Sequence, residues 1–75
     1  MAIGLVLNGQ ARSFENLEEN ASLVELVAEL GLKSDRIAVE RNGAIAPRTG
    51  WAGVVLGEGD RIEIVHFVGG GSVGL

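Results

Sequence analysis

The spacing of apolar residues changes at Ser22, and this change constrains the fold more than any other feature of the sequence. Before it, Ile3, Leu5 and Leu7 alternate with other residues, which is the spacing of a β-strand with one buried face. After it, apolar residues recur at the spacing of one helix face, and these are Leu23, Leu26, Val27 and Leu30. The sequence therefore predicts one amphipathic helix after an extended segment.

Both ends of this helix carry recognisable signals. Ser22 precedes the apolar pattern and Glu25 follows three residues later. This pair forms a capping box, which satisfies N–H groups that have no partner within the helix. Gly31 ends the helix, because glycine adopts the left-handed conformation of the C′ position without steric cost.

Asn-Gly dipeptides divide the extended segments. Asn8-Gly9 is a signal for a type I′ hairpin, so the chain is expected to open with two antiparallel strands. Asn42-Gly43 turns the chain again after a third strand over residues 37–41. Pro47 then confines the short run 44–46 to a sheet edge, because proline has no backbone N–H to donate.

The last third of the chain contains irregular structure and one more strand. Residues 49–53 predict a single helical turn, with Trp51 covering one end of the core. A brief strand is expected at 54–56 and a turn at 57–60. Residues 61–67 are strongly β-prone and predict the final strand, with its isoleucines facing inward.

This order of elements is that of the β-grasp fold, an α+β architecture in which a mixed sheet packs on one helix. If the first and last strands lie side by side, they run parallel at the centre of the sheet, where their apolar content suits burial. A chain of 75 residues is too short to divide into two domains. We therefore expect a β-grasp domain over residues 1–67 and a flexible glycine-rich tail over residues 68–75.

Charge and composition narrow the classes of partner and site. The formal charge is −4, and one stretch without a basic residue contains Glu15, Glu18, Glu19, Glu25 and Glu29. This argues against nucleic acid or an anionic membrane as a partner and favours a basic protein surface. A solvated helix face explains the same glutamates and ranks above a binding role. Since the chain has no cysteine, it can form neither a disulfide nor a thiolate metal site, and no side chain can carry sulfur.

Location follows from two further features. The apolar runs are far shorter than the ~20 residues of a membrane-spanning helix. The first residues have neither the basic segment nor the apolar run of a secretory signal. These features predict a soluble, cytoplasmic protein.

The tail carries the strongest functional hypothesis. Residues 68–75 have no charge and no periodicity, so a frayed end explains them if they are considered alone. However, glycines lack Cβ, so such a tail can thread a narrow channel and reach a nucleotide in a partner's site. Joining its terminal carboxylate to AMP would let a sulfur nucleophile attack the carbonyl and give a glycyl thiocarboxylate. This chemistry needs no acid, base or metal from the carrier.

Several segments together resemble the ThiS family of sulfur carriers in thiamine biosynthesis. They are Leu7-Asn8-Gly9, the run 37–43, Pro47-Arg48, Trp51, the run 59–65 and Val68-Gly69-Gly70-Gly71. The resemblance implies a non-catalytic β-grasp protein that binds no cofactor itself. It further implies that an E1-like, ThiF-type enzyme uses ATP to adenylate the terminal glycine, and that the thiocarboxylate supplies sulfur to a ThiG-type thiazole synthase. By this resemblance, Gly70 and Gly71 are the carrier glycines.

The residues after Gly71 depart from the family pattern, since members typically end at the glycines. The chemistry requires a free carboxylate, so we expect a protease to remove Ser72-Val73-Gly74-Leu75, cutting after Gly71 or after Gly70. The same extension is also compatible with a paralogue that kept the fold and lost the carrier role. Other readings are a molybdopterin-type or other biosynthetic sulfur carrier, and a ubiquitin-like module that tags targets through an amide.

The remaining candidate residues are assigned by position. Phe67, with Val68 and Gly69 after it, is expected to contact the partner that receives the tail. His66 makes a poor metal site without a second histidine or a cysteine. The Gly57-Glu58-Gly59 segment lacks the rest of a dinucleotide fingerprint and is expected to be a turn. The acidic residues Glu40, Asp60 and Glu63 are interpreted as solvated charges.

Overall fold

One mixed sheet contains all the strands of the computed structural model, which describes residues 2–67. The strands are β1 (Ile3–Leu7), β2 (Gln10–Phe14), β3 (Ile37–Arg41), β4 (Ala44–Ile45) and β5 (Arg61–His66). Their order is β2-β1-β5-β3-β4, with β1 and β5 parallel and the other neighbours antiparallel. The predicted parallel pairing of the first and last strands at the sheet centre is confirmed, as is the edge position of β4.

The two Asn-Gly turns give both hairpins the same geometry. Asn8 and Gly9 have φ values of 50° and 84°, and Asn42 and Gly43 have φ values of 52° and 87°. Positive φ at both central residues defines a type I′ turn, whose twist matches that of the flanking strands. The predicted opening hairpin is confirmed.

The helix α1 (Leu23–Glu29) begins and ends at the predicted signals. Ser22 Oγ accepts the N–H of Glu25 at 3.2 Å. Gly31 has a φ of 73° and its N–H donates to Ala28 O at 3.0 Å, while Leu32 N–H donates to Val27 O at 3.2 Å. These two hydrogen bonds form a Schellman motif. Within residues 2–67, no helix is long and apolar enough to cross a bilayer.

The core lies between α1 and one face of the sheet. Leu23 and Leu26 of the helix are fully buried, as is Ile62 at the centre of the sheet. Trp51 lies in a 3₁₀ helix, Arg48–Gly53, and is also buried. Its Nε1–H donates to Ala46 O at 2.7 Å, so the indole closes the core without an unpaired donor. The predicted helical turn and the core role of Trp51 are both confirmed.

The expected strand at residues 54–56 is wrong. This segment forms one isolated bridge, between Val55 and Ser22, rather than joining the sheet. Val54 O accepts the N–H of Leu23 at 3.0 Å, and Leu56 N–H donates to Ala21 O at 2.8 Å. The segment therefore pairs with the chain that enters α1 and buries Leu56 in the core.

Side chains from both Asn-Gly turns hold β5. Asn8 Oδ1 accepts the N–H of Ile64 at 2.8 Å, on one side of the strand. Asn42 Oδ1 accepts the N–H of Arg61 at 2.9 Å, on the other side. Each asparagine therefore both makes a tight turn and serves as a hydrogen-bond partner for the central strand.

Asp60 is not the solvated charge expected from the sequence. Its carboxylate accepts hydrogen bonds from Gly57 N–H at 2.8 Å, from Arg41 Nε at 3.0 Å and from Asn42 Nδ2 at 3.1 Å. Burial disfavours the charged form, but the hydrogen bonds from Gly57, Asn42 and Arg41, with the charge of Arg41, outweigh it and lower the pKa of Asp60. The turn before β5 is thus built around an ionised carboxylate.

This arrangement predicts a pH-dependent contribution of Asp60 to stability. The Asp60→Asn variant should lower the free energy of unfolding at neutral pH by roughly 1–3 kcal/mol, because hydrogen bonds to a charged acceptor are lost. Since the folded-state pKa is lowered, this contribution is complete above the ordinary pKa of 3.8 and is lost as pH falls through the folded-state pKa. Urea unfolding at a series of acid pH values would measure it.

The matched control is Glu19→Gln, which removes an exposed carboxylate from the loop before α1. Its difference from the wild type should be small at every pH. A deficit of Asp60→Asn that stays constant through the acid range would contradict the role given to the ionised carboxylate.

Candidate functional site

The candidate site is the point where the chain leaves the C-terminal end of β5. Phe67 follows the strand, and its N–H donates to Arg36 O at 2.9 Å. Arg36 is the last residue of a 3₁₀ helix, Ser34–Arg36, that leads directly into β3. The predicted contact residue is therefore fixed through its backbone while its side chain remains 41% exposed.

The pairing of β5 is uneven along its length. Parallel pairing with β1 involves Arg61 and Ile62, whereas antiparallel pairing with β3 continues to His66, which faces Ile37. The last part of β5 therefore extends beyond its pairing with β1 and is held along β3. The chain therefore leaves the sheet at the C-terminal end of β5, beside the start of β3.

Four of the predicted site residues, Val68, Gly69, Gly70 and Gly71, lie outside the described residues. Phe67 is the predicted site residue that the structure describes, and its exposure is compatible with a contact role. Its role in partner binding remains a prediction.

An exposed apolar surface, not predicted from the sequence, lies beside this exit. Val65 is 62% exposed and lies opposite Ala38 on the face of the sheet that points away from α1. Ile45, at the neighbouring edge strand, is 74% exposed. The alternation of side chains along β5 could have predicted this exposure, because Val65 must face outward when Ile62 and Ile64 face inward.

Three arginines in and beside the sheet, Arg41, Arg48 and Arg61, have different environments. Arg41 is committed to the fold, because it pairs with Asp60 and its Nη2 donates to Val55 O at 3.2 Å. Arg48 and Arg61 are exposed. The exposed pair remain available for contacts that the fold does not require.

A shallow groove of about 470 Å³ lies on the outer side of the first hairpin, away from the exit. One wall is formed by Glu58, whose Oε1 accepts the N–H of Gly4 at 2.8 Å. The groove is lined by Ala2, Gly4, Leu5, Val6, Ala11, Arg12, Ser13, Glu58 and Gly59. Because its carboxylate holds the Gly57–Asp60 turn against β1, Glu58 has a structural role there.

No group of three or more metal-ligating side chains occurs among residues 2–67. Within the same residues, every buried polar side-chain atom has a hydrogen-bond partner.

The comparison with protein families decides the family. The model of the ThiS family matches residues 5–71. The chain belongs to the ThiS family. This is the family of sulfur carriers in thiamine biosynthesis, so the predicted family is confirmed.

Relatives of two kinds share the ThiS pattern. The chain is 37% identical to the sulfur carrier protein ThiS of Bacillus subtilis, over 89% of this chain and 98% of that protein. It is also 44% identical to a thiazole synthase of Paramagnetospirillum magneticum over 91% of this chain, and 45% identical to one of Magnetococcus marinus over 87% of it. The chain spans only 20% and 19% of the length of these two synthases.

Solved structures of a ThiS protein share the fold. A crystal structure of the thiamine biosynthesis protein ThiS from Geobacter metallireducens has a TM-score of 0.78 and 27% identity, covering 92% of this chain and all of that one. A solution structure of a thiamine biosynthesis protein from the same organism also has a TM-score of 0.78, at 26% identity. The predicted β-grasp fold is confirmed.

The position of Phe67 predicts that its side chain contributes more to binding than to folding. The Phe67→Ala variant should weaken binding to a ThiF-type enzyme by about 5- to 30-fold, because a partly exposed aromatic ring can anchor an interface. Its free energy of unfolding should fall by less than about 1 kcal/mol, since the ring is only partly buried. Calorimetric titration and urea unfolding would measure the two effects.

The matched control is Val24→Ala on α1, where the side chain is similarly exposed at 45%. It should leave binding unchanged, because α1 covers the other face of the sheet. A Phe67→Ala variant that loses stability but retains its affinity would contradict the contact role.

Proposed function

We propose that this chain carries sulfur as a thiocarboxylate on Gly71 and delivers it for synthesis of the thiazole of thiamine. The observation that supports this most directly is the extent of the family match. It continues beyond β5, through the consecutive glycines, to Gly71. The shared pattern thus includes the tail as well as the folded domain.

The proposed chemistry takes place on the backbone carboxylate of Gly71. This carboxylate attacks the α-phosphate of ATP, forming an acyl-adenylate and releasing pyrophosphate. A sulfur nucleophile at the oxidation level of sulfide then attacks the carbonyl carbon, and AMP leaves. The product holds sulfur at the chain terminus, which agrees with a sequence that contains no cysteine.

The partner in this first step is an E1-like, ThiF-type adenylating enzyme, which binds the ATP. The carrier supplies position rather than catalysis, because β5 fixes the start of the tail at Phe67. Gly71 lies four positions after Phe67, and a fully extended chain spans at most about 3.6 Å per residue. The adenylation site would then lie within roughly 14 Å of the partner surface that contacts Phe67.

The partner in the second step is a ThiG-type thiazole synthase. The two thiazole synthases described above contain a segment similar to this chain, which supports a functional relationship between carrier and synthase. We infer that the thiocarboxylate tail enters the active site of the synthase and donates its sulfur there.

The residues after Gly71 bear on the availability of the carboxylate. Ser72–Leu75 lie beyond the family match, which ends at Gly71. In the proposed sequence of events, a protease cleaves after Gly71 and frees its carboxylate. Adenylation would follow this cleavage.

A direct test compares the chain of 75 residues with a version that ends at Gly71. Each is incubated with a ThiF-type enzyme, ATP and a sulfur donor, and its intact mass is then measured. The shorter chain should gain the mass difference of replacing one oxygen by sulfur, whereas the longer chain should not change, because its Gly71 carbonyl is part of a peptide bond.

A third version with Gly71 replaced by alanine, also ending there, provides the control for the geometry of the terminus. Its Cβ should hinder entry into a channel shaped for glycine and slow the reaction. No modification of the Gly71-ending chain by any adenylating enzyme offered would contradict the carrier function. Attachment of that chain to lysine through an isopeptide bond would point to a tagging module.

A further inference from the structure

The two Asn-Gly turns place a chemically reactive sequence on either side of β5. In such a dipeptide the backbone nitrogen of the glycine can attack the side-chain amide carbon of the asparagine, because glycine has no Cβ to hinder the approach. Both asparagines and both glycines are exposed to water. Nothing lies within 4 Å of the position that a Cβ would take at Gly9 or at Gly43, and within residues 2–67 neither glycine nitrogen donates a hydrogen bond. Each turn therefore has the composition and the access that spontaneous deamidation requires.

Deamidation of Asn8 would proceed without an enzyme in two balanced steps. First, a bond forms between Gly9 N and Asn8 Cγ, the Cγ–Nδ2 bond breaks, and the proton lost from Gly9 N leaves with the side-chain nitrogen as ammonia. Water then opens the resulting cyclic imide. Opening at Cγ gives an ordinary aspartate, whereas opening at the backbone carbonyl carbon gives isoaspartate, in which the chain continues through Cγ.

Hydrogen bonds to β5 hold the two asparagines in the same way. Asn8 N–H donates to Ile62 O at 2.9 Å, and its Oδ1 accepts the N–H of Ile64 at 2.8 Å. Asn42 N–H donates to Arg61 O at 2.8 Å, and its Oδ1 accepts the N–H of the same residue at 2.9 Å. An N–H aimed at the amide oxygen stabilises negative charge that develops there during attack on the carbon. Since this contact is present in both turns, it does not distinguish them.

The turns differ at the side-chain nitrogen. Asn42 Nδ2 donates to Asp60 Oδ1 at 3.1 Å. Asn8 Nδ2 has no hydrogen-bond partner within the part of the chain that the structure describes. The amide of Asn42 must therefore give up a hydrogen bond to a charged acceptor before its carbon can move towards Gly43. Such bonds are stronger than those between neutral groups, and the amide of Asn8 has none to break.

We propose that Asn8 is a site of spontaneous deamidation in the folded protein, and that the carboxylate of Asp60 protects Asn42 from the same reaction. The hydrogen bond that Asn42 must break corresponds to a rate difference of at least about tenfold between the two sites. This inference is independent of the sulfur carrier function, because it uses only the two turns and the strand between them.

Modification of Asn8 would act on the central strand of the sheet. Its Oδ1 binds Ile64 N–H on the part of β5 that extends beyond its pairing with β1. An aspartate at this position keeps an oxygen on Cγ, so this product should resemble the wild type. Isoaspartate adds a methylene to the backbone of the turn and leaves the free carboxylate on Cα, so the contact with Ile64 is lost. The isoaspartate form should therefore loosen β5 shortly before Phe67.

The experiment follows the full chain of 75 residues at mildly alkaline pH, in buffer and in concentrated urea. Trypsin cleaves after lysine and arginine, so it places Asn8 in the peptide 1–12 and Asn42 in the peptide 42–48. The mass of each peptide records the replacement of the amide nitrogen by oxygen over time. In urea the two peptides should be modified at similar rates. In buffer, 1–12 should be modified at least about tenfold faster than 42–48.

Asp60→Asn is the matched control for the protection of Asn42. It removes the carboxylate that binds Asn42 Nδ2 and leaves the contact between Asn8 and Ile64 in place. Modification of 42–48 in buffer should become faster, while 1–12 keeps its rate. The comparison of buffer with urea on the wild type decides the question even where this variant is partly unfolded.

The effect on β5 is measured on the separated isoaspartate form, with Asn8→Asp as the reference for the other product. Hydrogen exchange at the amide of Ile64 should be at least about fivefold faster in the isoaspartate form than in the wild type, because one hydrogen bond is lost. In Asn8→Asp the exchange rate should stay close to that of the wild type. An unchanged rate in the isoaspartate form would overturn the effect assigned to β5.

The peptide rates test the two sites separately. Equal rates for 1–12 and 42–48 in buffer would overturn the protection assigned to Asp60. If 1–12 remains unmodified in buffer for the time that the reaction takes in urea, the assignment of Asn8 as a deamidation site is overturned.

Discussion

The hydrogen bonds around the start of β5 are the constraint on which the rest of this structure depends. The ionised carboxylate of Asp60 accepts hydrogen bonds from the backbone of Gly57 and from the side chains of Arg41 and Asn42. These bonds connect the preceding turn, β3 and the second hairpin at one carboxylate. From the other side, Asn8 binds the backbone of Ile64. Because β5 leads to the tail, the contacts that fix this strand also fix the point from which the tail leaves.

Local signals in the sequence predicted most of the fold. Ser22 and Gly31 mark the ends of α1, and each Asn-Gly dipeptide gives a type I′ turn, because these residues determine the backbone within a few positions. Asp60 and the segment 54–56 were misjudged for the opposite reason. The hydrogen-bond partners of Asp60 include Arg41, which is distant in sequence, and the backbone of 54–56 pairs with the entrance to α1. No local pattern reports such contacts.

The candidate site could likewise be predicted from the sequence only in part. The tail glycines and Phe67 could be proposed from the sequence because their order along the chain is itself the signal. The facing positions of Glu40 and Glu63 on the outer side of the sheet could not, since the two glutamates are separated by more than twenty residues and meet only through the register of β3 with β5. Each glutamate alone is an ordinary exposed charge of a half-buried strand. Their juxtaposition has meaning only after the pairing is known.

The antiparallel ladder between β3 and β5 also has a mechanical consequence. Its hydrogen bonds lie across the direction in which β5 runs, and the register covers five residue pairs, from Ile37 with His66 to Arg41 with Ile62. A pull on the C-terminus along the strand therefore loads these bonds together in shear, rather than opening them one after another. A partner could hold the end of the chain under tension, and withdraw from it, while the domain stays intact.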